Sequence, residues 1–194
     1  MTIEEGKKLK KIWKRSNLID ISEIEESERL IGMSLPKDYK ELVKDNDGGR
    51  ACFIDENGET ISRSIYVEKW RQSITPHLIS HKVEDGCKVS RFYWNYMDDR
   101  DILPKEVVTF AYDSGGNLLV FDFKDNPHDP KIFFVDHEEY IEIDLYNEWV
   151  EVGDVEKGKT LEDVQREEMM FVANSFSEFL EKLSLDESDQ FIYD

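Results

Sequence analysis

Two histidines, His77 and His81, stand four residues apart, with Cys87 a short way beyond. On a helix that interval turns both imidazoles to one face, and with a carboxylate they would make a zinc-type site for a metal-dependent hydrolase. No CxxC or HExxH spacing accompanies them, and Pro76 beside them favours two exposed or hydrogen-bonded histidines. Cys52 and Cys87 with the four histidines nominally supply a thiol and a base, again without a local signature. The clusters DNDGG, DENGE and DDRD set acids beside glycine or asparagine as calcium loops do, yet none keeps the alternating ligands of an EF-hand. Loop termination accounts for the first two and a solvated turn for the third. With 44 acidic residues, candidate carboxylate pairs occur everywhere, so they single out nothing. GxSxG, GxGxxG and GxxxxGK[ST] do not occur, and SGGN at 114–117 reads as a hairpin turn. The expectation is a chain that is not an enzyme, with no catalytic or metal residue and no cofactor.

Binding chemistry is better represented. The aromatic run FYWNYM at 92–97 leads directly into DDRD. Trp94 or Tyr96 would serve as a rigid anchor while Asp98, Asp99 and Asp101 capture arginine or lysine of a partner. The competing reading is a strand whose aromatics are half core. The formal charge of −19, from 25 basic and 44 acidic residues, repels nucleic acid and anionic lipid and favours rapid encounter with a basic protein. Between Asp136 and Glu168 thirteen acids face three bases, about half the net charge in one region. No apolar core of a signal peptide follows the N-terminal lysines, no stretch reaches membrane-helix length, and two cysteines are too few for a disulfide framework. A cytoplasmic protein is expected.

The elements that must position these residues follow from periodicity. Thr2 with Glu5 can cap a helix over roughly 3–16, whose polar face carries Lys7, Lys8, Lys10, Lys11, Lys14 and Arg15. That face is either a patch for an acidic ligand or a solvated surface. Ser22 with Glu25 begins a second helix anchored by Ile24, Leu30 and Ile31 and ended by Gly32. LPKDYKELVKDNDGG places Pro36 in a first turn, aligns Tyr39, Leu42 and Val43, and stops at residues that accept positive φ. Beyond it the texture turns to strands. ACFI and ETISRSI flank DENG, and VVTFAYD and NLLVFDF flank SGG. KIFFVDH follows, and EYIEIDLY continues it or adds a strand. SRFYWNYM is expected to be extended, YVEKWRQSI to be a short helix broken by Pro76, and EVGDVEKGKT to be a loop. TLEDVQREEMM and ANSFSEFLEKL read as helices capped at Thr160 and Ser175. Hairpin-linked strands between terminal helices predict an α+β fold with a mainly antiparallel sheet. The expected domain is single, 1–194, with its core at about 20–183, a basic helix in 1–19 and an acidic tail at 184–194.

Three pieces in order carry a family resemblance: Leu35, Pro36, Tyr39, Asn46, Gly48 and Gly49; then Gly115, Gly116 and Asn117; then Ser175, Phe176, Phe179 and Leu180. Over roughly residues 20–183 the chain resembles the SMI1/KNR4 family of the SUKH superfamily. The segment between the two hairpins and the 136–168 region exceed the family pattern in length. The resemblance implies a mixed, mainly antiparallel sheet packed against N- and C-terminal helices, and no catalysis. Bacterial members are immunity proteins that bind and neutralise polymorphic toxins, often nucleases, so a basic toxin domain is the expected partner. Fungal relatives are regulatory scaffolds, so the alternative is an adaptor for an endogenous basic protein.

Overall fold

The structure, a computed structural model, describes residues 10–185. Strand β1 (Lys10–Lys14) lies where a basic helix was expected, its residues paired one for one with β2 (Arg50–Ile54). Cross-strand pairing with β2 overrides the local helical pattern, and Trp13 is the side chain it buries. Residues 1–9, including the Thr2–Glu5 capping pair, lie outside the described residues, as does the tail beyond 185.

Helix α1 (Ile21–Ile31) starts two residues earlier than the Ser22–Glu25 pair suggests. The Asp20 carboxylate accepts the Ser22 amide at 2.9 Å while Glu23 accepts the amide of Asp20, so this pair forms the capping box. Ile24, Ser27 and Ile31 face inward, and Gly32 closes the helix with φ of +73°. Helix α2 (Lys37–Asn46) follows Pro36 and buries Tyr39 and Val43 completely. The rings of Phe110, Phe121 and Phe176 meet Tyr39 edge to face at 5.2–5.9 Å. Such a ring contributes about 2 kcal/mol or more through apolar burial alone. After α2 the chain must reverse in little space. Gly48 takes φ of +68°, and a Cβ on Gly49 would come within 2.9 Å of Trp13, Ser16 and the Asn46 carbonyl.

Among the described residues the sheet has ten strands. To those above it adds β3 (Thr60–Val67), β4 (Gln72–Ile74), β5 (His77–Leu78), β6 (Val107–Tyr112), β7 (Leu118–Asp122), β8 (Lys131–Val135), β9 (Met170–Ala173) and β10 (Ser184–Leu185). The order is β10-β3-β2-β5-β6-β7-β8-β9, with β1 on β2 and β4 on β3, and every pairing is antiparallel. The amides of Ala51 and Asp55, which share one edge of β2, donate to Pro76 and Glu59. Strands β5 and β3 therefore divide that edge and β1 takes the other.

Alternation assigns the two faces. Trp13, Ala51, Leu78, Leu119 and Phe134 join the main core with α1, α2 and the last helix, α6 (Phe176–Lys182). A bulge between Thr109 and Ala111 turns Phe110 and Ala111 to that same face. On the reverse face Val107, Leu118, Val120 and Val135 form a smaller cluster closed by Leu103 and Met169.

Three further expectations change. SRFYWNYM forms helix α3 (Arg91–Asp98), because Ser90 caps it and Phe92, Tyr93 and Tyr96 pack at helical spacing. YVEKWRQSI is the end of β3, a turn at Arg71 with φ of +58°, and β4. EYIEIDLY runs into helix α4 (Ile143–Val152), which Gly153 terminates in the left-handed conformation. Helix α5 (Leu161–Glu168) keeps the Thr160–Asp163 capping box.

Candidate functional site

Helix α3 carries the aromatic and acidic residues that the sequence singles out. The buried Ser90 hydroxyl accepts the Tyr93 amide at 3.3 Å and meets Ser27 of α1 at 3.2 Å, which fixes where the helix begins. Phe92 is fully buried and stacks on His81 at 4.0 Å, so the inward face of α3 is locked to the core. Trp94 and Asp98, one turn apart, are left on the outside. Trp94 is 56% exposed. Together with Glu84, Cys87, Arg91 and Asn95 they line an open cleft of about 310 Å³. Its lining sets two carboxylates, Glu84 and Asp98, against one cation, Arg91, beside the indole, and the excess acid suits a guanidinium or ammonium group.

The remaining residues of the expected site divide. Tyr96 is half-buried and holds the Arg100 guanidinium 4.1 Å over its ring. Arg100 donates to the carbonyls of Tyr96, Lys105 and Val107, so DDRD is a braced corner and not a free turn. Asp99 turns inward, 7% exposed, and accepts the Thr109 hydroxyl; burial raises its pKa above the usual carboxylate range. It leaves the proposed contact surface, because backbone geometry at the start of the 3₁₀ turn (Asp99–Asp101) points it at β6. Asp101 is exposed, and its carbonyl accepts from Gln165 at 3.5 Å. Gln165, itself buried, also donates to the Ile141 carbonyl at 2.9 Å, which joins the end of α3 to the start of α4.

Helix α4 is a surface that sequence reasoning missed. It has no buried residue, and Ile143, Val150 and Val152 are exposed among Asp144, Glu148 and Glu151. The available signal was a run of apolar residues too rich in acids to belong to a core.

The histidine pair does not converge. His77 belongs to β5, while His81 lies past it in the core, its Nε2 2.9 Å from the Tyr39 hydroxyl. Burial lowers the pKa of His81 to about 3, so the ring is neutral. Asp47 accounts for this placement, its carboxylate accepting the His81 amide at 2.7 Å and the Ser80 hydroxyl at 2.5 Å. Its main chain also pairs with Asn17 after β1, so DNDGG ties three segments together. Among the described residues no group of three His, Cys, Asp or Glu is placed to hold a metal ion. Nor is any helix among them long and apolar enough to cross a membrane.

The profile of one protein family, SMI1-KNR4 cell-wall, matches residues 21–149. No curated protein matches the chain at a significant level. The matched span runs from α1 through the NDGG corner, α3 and the glycine hairpin of β6 and β7 into α4, the elements that build most of the core and line the Trp94 cleft. The chain belongs to the SMI1-KNR4 cell-wall family of the SUKH superfamily.

Proposed function

We propose that the chain is a bacterial immunity protein of the cytoplasm, a non-enzymatic binder that neutralises a basic, nuclease-type toxin domain by covering its active site. The observation that carries this reading is the exposed Trp94 and Asp98 on a helix whose other face is anchored in the core, with Glu84 of the preceding loop lining the same cleft. A rigid aromatic within a carboxylate rim supplies the anchor of a high-affinity interface, and the −19 charge supplies the steering. Asp101 and the acids of α4 add to the same negative surface field. Family membership is consistent with the same role.

Co-expression with the C-terminal toxin domain encoded directly upstream tests it. Growth rescue with a co-purifying complex is expected. Failure of both, with capture of an endogenous basic protein instead, would replace this reading with that of a regulatory adaptor.

A further inference from the structure

A second concave surface has the opposite sign. Strand registers place Lys14 opposite Arg50, Arg50 opposite His77, and His77 opposite Tyr112, so four side chains from four strands form one row on one face of the sheet. This is the reverse of the face that packs Trp13, Ala51, Leu78 and Ala111 into the core. Arg15 adjoins the row with φ of +61°, and the next row contributes Ser62. These residues line a cavity of about 380 Å³, within the range of small-molecule sites.

Three cations meet here in a chain with a large excess of acids. Like charges directly opposite one another on a sheet are destabilising, yet among the described residues none of Lys14, Arg15 and Arg50 forms an ion pair. Lys14 reaches only the Thr60 hydroxyl at 3.0 Å, and Arg50 only that of Ser62 at 3.0 Å. The His77 Nε2 is buried from solvent and has no hydrogen-bond partner among the described residues. Its ring lies 5.5 Å from that of Tyr112, and most of the guanidinium and ammonium donors around it have no acceptor. Unpaired cations that converge from separate strands on one cavity point to a ligand that supplies the missing acceptors.

We infer that this row is a binding site for a compact phosphorylated small molecule. A phosphoryl group carries the charge and the oxygens that Arg15, Arg50 and Lys14 lack, and the guanidinium fork matches its geometry. A nucleic acid does not fit, because the surrounding field of −19 repels an extended polyanion and tolerates a small one. This site lies on β1, β2, β5 and β6 and stands independently of the toxin reading.

Isothermal titration of the full chain with inorganic phosphate, pyrophosphate and adenosine monophosphate, at constant ionic strength set by chloride, tests it. Saturable one-to-one binding of at least one probe is expected, weakened about tenfold by Arg50→Ser and by Arg15→Asn, and unchanged in Trp94→Ala. Asparagine at 15 tolerates the positive φ, so that variant decides the matter should Arg50→Ser fail to fold. Tighter binding of the nucleotide assigns a nucleoside phosphate whose base meets Tyr112; equal or tighter binding of the inorganic probes assigns a free phosphate. No saturable heat above chloride with any probe, or equal affinity in wild type and both variants, overturns the site.

Discussion

The outer face of α3 and the cationic row on the sheet are built from the same parts, an aromatic ring beside charged groups over a concave surface, and they carry opposite signs. At α3 the ring and one carboxylate come from one turn of helix, with Trp94 and Asp98 four residues apart, and Glu84 from the loop just before it. Across the sheet they come from residues 14, 50, 77 and 112, brought together only by register. The α3 site agrees with the protein's overall field and suits steering of a basic protein from a distance. The sheet site opposes that field and acts only at contact range, within about a Debye length. Net charge thus describes how the molecule is approached; it does not describe what each concavity holds.

The largest expected effect tests whether His77 and His81, close in sequence, belong to different regions. Burial lowers the pKa of His81 to about 3 in the folded state, below its unfolded value, so the unfolded chain takes up the proton first. Stability should therefore fall as pH drops from about 6.5 towards 3, by roughly 1 kcal/mol per pH unit. Burial raises the pKa of Asp47 and Asp99, which contributes the opposite slope, so the comparison of urea midpoints between wild type and His81→Gln isolates the histidine. Equal slopes in the two proteins would place His81 outside the core.

Next is Trp94→Ala, expected to cost about 2 kcal/mol or more in partner affinity by titration, with little change in melting temperature because the indole is largely exposed. A comparable loss of stability would make Trp94 a packing residue and remove the α3 half of the comparison. Neighbouring acids sharpen it further. Asp99→Ala leaves the Thr109 hydroxyl buried without its acceptor and should lose about 1–3 kcal/mol in urea unfolding while leaving partner dissociation unaltered. Asp98→Lys should do the reverse, slowing association about tenfold at low salt, with the difference fading as salt rises in stopped-flow measurements. The smallest effect concerns the row. In chloride buffer Arg50→Ser relieves the repulsion from Lys14 and should raise stability by a few tenths of a kcal/mol in thermal melts. A clear loss would mean that the bond to Ser62 already satisfies Arg50.

The core was the most legible part of the sequence. Tyr39, Val43, Phe176 and Phe179 are buried where helical spacing placed them, and both hairpins form at their glycine turns. What misled was competition between a local pattern and a distant partner. Lys10–Lys14 has helical spacing but β2 offers it an edge, and FYWNYM is rich in strand-favouring aromatics but Ser90 caps it as a helix. The placement of the candidate residues was legible only where one helix supplies them. Trp94 and Asp98 share a face by their interval, whereas the inward turn of Asp99 depends on Thr109, ten residues on. The cationic row was illegible because no local rule pairs residue 14 with 50 and 77.

The outer face of α3 is the surface proposed to receive the partner. Hydrogen exchange on the complex obtained by co-expression tests it most directly. Slowed exchange over Glu84–Asp101, with the strands of the cationic row unaffected, is the predicted footprint. Protection confined to other surfaces, with α3 exchanging as in the free protein, would contradict it.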